Sequence, residues 1–127
     1  MMKKRTVRIL IITLIMSLFT AFSSLAREGM LPTPNSDTEQ IYKYLNADNS
    51  FAKNQWKQVW NNWYYFGEDG RSKQNTWAEI DGKWYYFDQW SIMQYDSTID
   101  SHTLGTDGAW IPADGETAPV QDTTTNN

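Results

Sequence analysis

The chain opens on an unbroken run of apolar and small residues, Ile9 to Phe22, set behind a basic start of Lys3, Lys4, Arg5 and Arg8. Ser24-Leu25-Ala26 then places small residues at −3 and −1 of a cut after Ala26. That order predicts a secretory signal peptide over 1–26. An uncleaved membrane anchor is the alternative, since Ile9 to Leu25 is 17 residues, at the lower limit for a span. The pattern then changes. Ser36-Asp-Thr-Glu39 reads as a capping box, and Ile41, Tyr44 and Leu45 recur at i, i+3 and i+4. These predict a short helix within a linker over 27–52. From 53 to 112, dense aromatic runs between turn formers predict strands. The stretch 113–127 is rich in Thr, Asp and Asn without apolar periodicity, which predicts a disordered tail.

The strand region repeats. Trp56 is followed seven residues later by Trp63-Tyr64-Tyr65-Phe66, and Trp77 seven residues later by Trp84-Tyr85-Tyr86-Phe87. Every matched position is offset by 21 residues. A worn third copy runs from Thr98 through Leu104-Gly-Thr-Asp-Gly-Ala-Trp110. A period of this size marks stacked units that cannot bury their faces alone. Each unit reads as a β-hairpin, with Asn61-Asn62 in the first and Asp81-Gly82 in the second as turn formers. Side chains alternate along a strand, so Trp63 and Tyr65 share one face and Tyr64 and Phe66 the other. The fold class is therefore all-β, a short solenoid of stacked hairpins.

Charge and composition remove several function classes. The 127 residues carry a net charge of −4. From Arg27 onward there are 7 basic and 15 acidic residues, a net of −8. Such a chain does not suit nucleic-acid phosphates, and it does suit a cation. It has no cysteine and a single histidine, His102, so no disulfide framework, thiol nucleophile or His-rich metal site is expected. No cofactor is expected either. Glu68, Asp69 and Glu79 could be imagined as a glycosidase pair, but they read as solvated carboxylates, and no enzyme is expected. All seven tryptophans lie between Trp56 and Trp110. In so small a domain many aromatic rings serve as core. Tryptophans recurring at hairpin starts go further, because they offer repeated flat surfaces for sugar rings or for a quaternary ammonium ion.

The stretch Trp56…Trp63-Tyr-Tyr-Phe-x-x-Asp-Gly70, then Trp77…Asp81-Gly-Lys-Trp-Tyr-Tyr-Phe-Asp88…Met93, resembles the cell-wall-binding repeats of choline-binding proteins from Gram-positive bacteria and their phages. The resemblance covers about 53–112. It implies stacked hairpins holding choline groups of teichoic acid in cages of two Trp and one Tyr. Carried over, the first cage would use Trp56 and Trp63 with Tyr86 from the next hairpin. The second would use Trp77 and Trp84, with Met93 as an apolar neighbour. Its third ring, 21 residues after Tyr86, falls on Asp107. Related repeats occur in glucan-binding proteins, so a wall or extracellular glucan is an alternative ligand. A structural or protein-interaction module on the same fold is a further alternative. The resemblance places the chain outside the cell, on the wall. Pairing of two copies through the open last hairpin near Trp110 is also expected.

Overall fold

The computed structural model describes residues 27–33 and 40–121. The expected signal peptide, the capping box at 36–39 and the last six residues lie outside the described residues. Among the described residues eight strands form four antiparallel hairpins, each pairing strands consecutive in the chain. They are β1 (Gly29–Pro32) with β2 (Tyr42–Leu45), β3 (Gln55–Val59) with β4 (Asn62–Phe66), β5 (Thr76–Ile80) with β6 (Lys83–Phe87), and β7 (Thr98–Ile99) with β8 (His102–Thr103). Among the described residues there is no helix, and none long and apolar enough to cross a membrane.

The first hairpin corrects the expected helix. Tyr42–Leu45 is a strand paired with Gly29–Pro32. The i, i+3, i+4 apolar spacing there is also compatible with alternation, since Tyr42 and Tyr44 share a strand face. Tyr42-Lys-Tyr-Leu45 stands 21 residues before Trp63-Tyr-Tyr-Phe66 and continues the same period. The repeat domain thus begins with a unit built from the presumed linker.

Turn chemistry recurs in each unit. The last three hairpins turn through two residues of positive φ: Trp60 and Asn61, Asp81 and Gly82, Asp100 and Ser101. That is the twist-matched two-residue turn, which favours Asp, Asn and Gly. The turn of β3–β4 therefore sits at Trp60-Asn61, one residue before the expected Asn61-Asn62. After each hairpin the chain makes a second turn, closed by Asn49 N→Asn46 O, Gly70 N→Gly67 O, Ser91 N→Asp88 O and Gly108 N→Gly105 O, each 3.0 Å. The donor has positive φ in all four. The chain then runs back along the hairpin it has left, bridging Leu45 to Phe51, Phe66 to Ser72, Phe87 to Met93 and Leu104 to Trp110.

These return segments join the units. Ser72 N donates to Tyr42 O, Met93 N to Trp63 O and Trp110 N to Trp84 O, at 2.8–2.9 Å. Each unit's return segment thus pairs with the preceding hairpin. The core forms between the units. Ala52, Tyr64 and Phe66 are buried under Met30, Tyr42, Tyr44, Val59 and Ile92. Ala78, Ile80, Phe87 and Met93 are buried under Trp56, Tyr65 and Tyr85. Phe66 and Phe87 are fully buried, each contributing about 1.5–3 kcal/mol by leaving water. Residues 113–121, expected to be disordered together with the rest of the tail, follow a defined path. Ala113 N donates to Glu116 Oε2 at 2.8 Å, and His102 Nε2 lies 3.0 Å from Thr117 O.

Candidate functional site

The register decides which rings meet. Trp56 pairs with Tyr65 and Gln58 with Trp63, so one face of the second hairpin carries Trp56, Trp63 and Tyr65. Trp77 pairs with Tyr86 and Ala78 with Tyr85, so the third hairpin carries Trp77, Trp84 and Tyr86 on one face and Ala78, Ile80, Tyr85 and Phe87 on the other. The tryptophan face of each hairpin meets the opposite face of the next. Trp56 therefore packs on Tyr85, with ring centroids 4.9 Å apart, and on Phe87 at 5.7 Å.

An open cavity of about 270 Å³ lies in this gap, lined by Trp56, Trp63, Tyr85, Met93 and Asp107. Trp56 and Trp63 stand edge to face, 6.4 Å apart at 84°. Asp107 is the only charged group in the lining. Burial first, then the carboxylates of Asp107 and Asp81, push the Tyr85 phenol above its usual value. The phenol is thus neutral at physiological pH. Aromatic walls with a carboxylate at the edge attract a weakly hydrated cation.

The fourth unit supports the cavity from behind. Gly108 has φ +80, and a Cβ there would lie 2.6 Å from both Sδ and Cε of Met93. Glycine is required twice, by the backbone and by Met93. The turn that presses on Met93 also supplies Asp107.

Four expected site residues therefore need repositioning. Tyr86 does not line the cavity; it lies on the Trp77 face, 5.3 Å from that ring, and Tyr85 takes its place. The reason is one pleat step: Tyr86 does share the Trp84 face, but that face points to the fourth unit. Met93 lines the gap of the first expected cage, between the second and third hairpins, instead of that of the second cage. Trp77 is only 6% exposed and packs on His102 at 5.3 Å. His102 in turn packs on Trp110 at 5.5 Å. Trp84 accepts the backbone bond from Trp110. Of the six expected residues, the structure brings Trp56, Trp63 and Met93 together in one cavity. Tyr85 and Asp107 were missed. Pairing across the Asp81-Gly82 turn separates the faces of Tyr85 and Tyr86 without saying which meets the previous unit, and local sequence offers no signal that brings Asp107 back two units.

A profile of the cell wall binding repeat of the choline-binding type matches residues 54–72 and 75–90. Over these two segments the chain is similar to the cell-wall-binding repeats of the choline-binding type. Solved structures agree with the hairpin stack. The choline-binding domain of Spr1274 from Streptococcus pneumoniae is 28% identical, with a TM-score of 0.58 over 66% of this chain and 94% of that one. The modular autolysin LytC of the same organism is 27% identical, with a TM-score of 0.53 over 54% of this chain and 16% of that one. CbpJ from Streptococcus pneumoniae, 24% identical with a TM-score of 0.55 over 67% of this chain and 27% of that one, shares the fold. No curated protein sequence matches. Among the described residues the same hairpin-and-return pattern occurs four times, and the profile covers the middle two.

Proposed function

We propose that this chain is a secreted, non-catalytic module that holds choline groups of cell-wall teichoic acid in the gap between its second and third hairpins. The observation that carries this reading is the open cavity lined by Trp56, Trp63 and Tyr85 with Asp107 at its edge. Trimethylammonium presents a diffuse positive charge that three ring faces can share, each contributing about 0.5–2 kcal/mol. Less the cost of association, that gives an affinity on the order of millimolar. Glu68, Asp69 and Glu79 are exposed, and Asp69 is engaged by the Arg71 amide of its own turn, which supports a role without catalysis.

Titration with choline chloride, followed by tryptophan fluorescence, tests the reading. Saturable quenching in the millimolar range is expected, with a melting temperature that climbs with choline concentration, because a ligand bridging two hairpins binds only the folded state. Indifference of both signals to choline would overturn it. Export by cleavage after Ala26 leads to the expectation that the secreted chain starts at Arg27, which N-terminal sequencing reads directly.

A further inference from the structure

Position 102 carries more chemistry than its packing needs. Phe87 and Leu104 each bridge a return segment, so His102, two residues before Leu104, stands where Tyr85 stands before Phe87. Packing asks only for a ring at this place, and the imidazole does lie against Trp77 at 5.3 Å and Trp110 at 5.5 Å. Its two nitrogens go beyond that. Nε2 lies 3.0 Å from Thr117 O. A carbonyl only accepts, so Nε2 carries the proton and donates. Nδ1 is then a bare acceptor, buried and without a hydrogen-bond partner among the described residues. A dry polar atom costs free energy that a phenyl ring would avoid. What offsets that cost is the bond to the tail. The tail is shaped to meet the same nitrogen. Ala113–Glu116 is a closed turn: Glu116 N donates to Ala113 O at 3.0 Å, Ala113 N donates to Glu116 Oε2 at 2.8 Å, and Gly115 has φ +77. The Glu116 carboxylate also reaches His102, with Oε1 3.9 Å from Nε2. Pro119, two residues past Thr117, is buried.

The fourth unit needs such support. β7 and β8 have two residues each, against five in each of β3 to β6. A two-stranded pair of that length is not stable by itself. Its inner face carries Ile99 and His102, and its outer face Thr98 and Thr103, both exposed. Thr98 pairs with Thr103 as Trp77 pairs with Tyr86, so threonine stands where the third hairpin has its tryptophan. That face offers no aromatic grip to a further hairpin. Yet this short unit furnishes the cavity with Asp107 and presses Gly108 on Met93. Asp107 is five residues beyond His102, in a turn closed by Gly105 N→Ala109 O at 2.9 Å and Ala109 N→Asp107 Oδ1 at 3.0 Å. Whatever fixes His102 therefore fixes the frame from which Asp107 reaches the cavity.

We propose that residues 113–117 form a clasp, keyed on His102, that holds the fourth unit on the stack and thereby sets Asp107 at the edge of the cavity, so that docking of the tail and binding of the cation strengthen each other. This rests on the choline reading of the cavity. Gly115 is the place to open the clasp. A Cβ there meets nothing within 4 Å, so Gly115→Val strains only the backbone, while Gly115→Asn tolerates the same φ. The test uses the full chain, whose one imidazole is a clean magnetic-resonance reporter. The Nε2 proton is expected to give a visible resonance, slowed in exchange by its bond, in the wild type and in Gly115→Asn, and to be lost in Gly115→Val. Choline affinity, read by tryptophan fluorescence, is expected to fall about two- to fivefold in Gly115→Val, the range of one partly exposed charge contact, and to stay at the wild-type value in Gly115→Asn. A chain ending at Pro112 removes the clasp outright and is expected to match Gly115→Val. In an Asp107→Asn background the valine is expected to change affinity no further. An Nδ1–H imidazole in the wild type would overturn the proposal. So would wild-type affinity in the shortened chain, or losses from Gly115→Val and Asp107→Asn that simply multiply. Should choline leave every protein unchanged, the cavity reading fails by itself and the melting temperature judges the clasp. A fall in Gly115→Val that Gly115→Asn does not share sustains it, and equal midpoints in the wild type, Gly115→Val and the shortened chain overturn it.

Discussion

The second and third gaps of the stack are built on one register and end in opposite states. In both, the tryptophan face of one hairpin meets the next, and a return segment bonds to the fourth strand residue from the turn's far side: Met93 to Trp63 in one, Trp110 to Trp84 in the other. In the second gap the facing ring is Tyr85 and the return residue a slim methionine, and a cavity remains. In the third the facing ring is His102 and the return residue an indole, and His102 packs on both the buried Trp77 and Trp110. The first gap, with Met30 and Tyr42 facing Tyr64 and Ser72, is drawn into core. Whether a gap keeps a cavity or closes is thus decided by two side chains, and the backbone stays the same.

The largest effect on this comparison is expected from Phe87→Ala. Phe87 is fully buried behind Trp56, so its loss should cost about 3–5 kcal/mol and dissolve the second gap together with the stack. Chemical denaturation reads this directly. Next comes the pair Trp63→Ala and Trp84→Ala. The first should lower choline affinity by roughly threefold to thirtyfold in a fluorescence titration, and the second should leave it near the wild-type value. Equal losses would erase the distinction between the gaps. Gly108→Ala imposes both a left-handed alanine and a clash with Met93, and about 1–3 kcal/mol of stability should go. The choline response should weaken as Met93 is pushed into the cavity, while packing around Trp77 stays.

A smaller and graded effect belongs to pH. Burial raises the phenols of Tyr44, Tyr64, Tyr65, Tyr85 and Tyr86 above the usual value, with nearby carboxylates adding to it. A raised folded-state value means the neutral form is favoured on folding. The stability this represents is complete below the free phenol value of about 10 and is lost as pH rises through the folded values. Denaturation midpoints should therefore fall above about pH 10, and saturating choline should offset the fall if Tyr85 closes a working site. The smallest effect is Lys83→Ala. Its 3.9 Å pair with Asp107 is exposed at both ends, so stability should change by no more than about 0.5 kcal/mol. Choline affinity should rise slightly, since Asp107 is then left to face the cavity alone.

The aromatic period made the hairpins legible, because 21-residue recurrence and Asp81-Gly82 specify strand, turn and face together. The first unit stayed hidden since Tyr, Lys and Leu at 42–45 satisfy a helical and a strand pattern at once, and only pairing with Gly29–Pro32 separates them. The site was half legible. Trp56 and Trp63 follow from the repeat alone. Tyr85 against Tyr86 turns on which of two aromatic faces meets the previous unit, a relation between units that no single unit encodes. The closure of the third gap depends on His102 and Trp110, which lie in a unit shortened so that Leu104 follows Phe87 by 17 residues where Phe87 follows Phe66 by 21.

One bond runs against the nearest-neighbour logic of a stack. Ser91, fully buried, donates through Oγ to Gln40 O at 2.6 Å and accepts from Ser72 Oγ at 2.9 Å, while Ser72 Oγ receives Tyr42 N. Three consecutive units share this string of hydroxyls. The ends of a one-dimensional array ordinarily fray first. Here the leading hairpin cannot peel away without leaving the Ser91 hydroxyl dry and unpaired. Opening is thereby biased to the trailing end, where the short β7–β8 pair sits. Amide exchange should accordingly run fastest around Thr98–Thr103 and slowest through the first three units, so that the array melts in one direction, and the turn carrying Asp107 and Gly108 is the first part of the cavity wall to be lost.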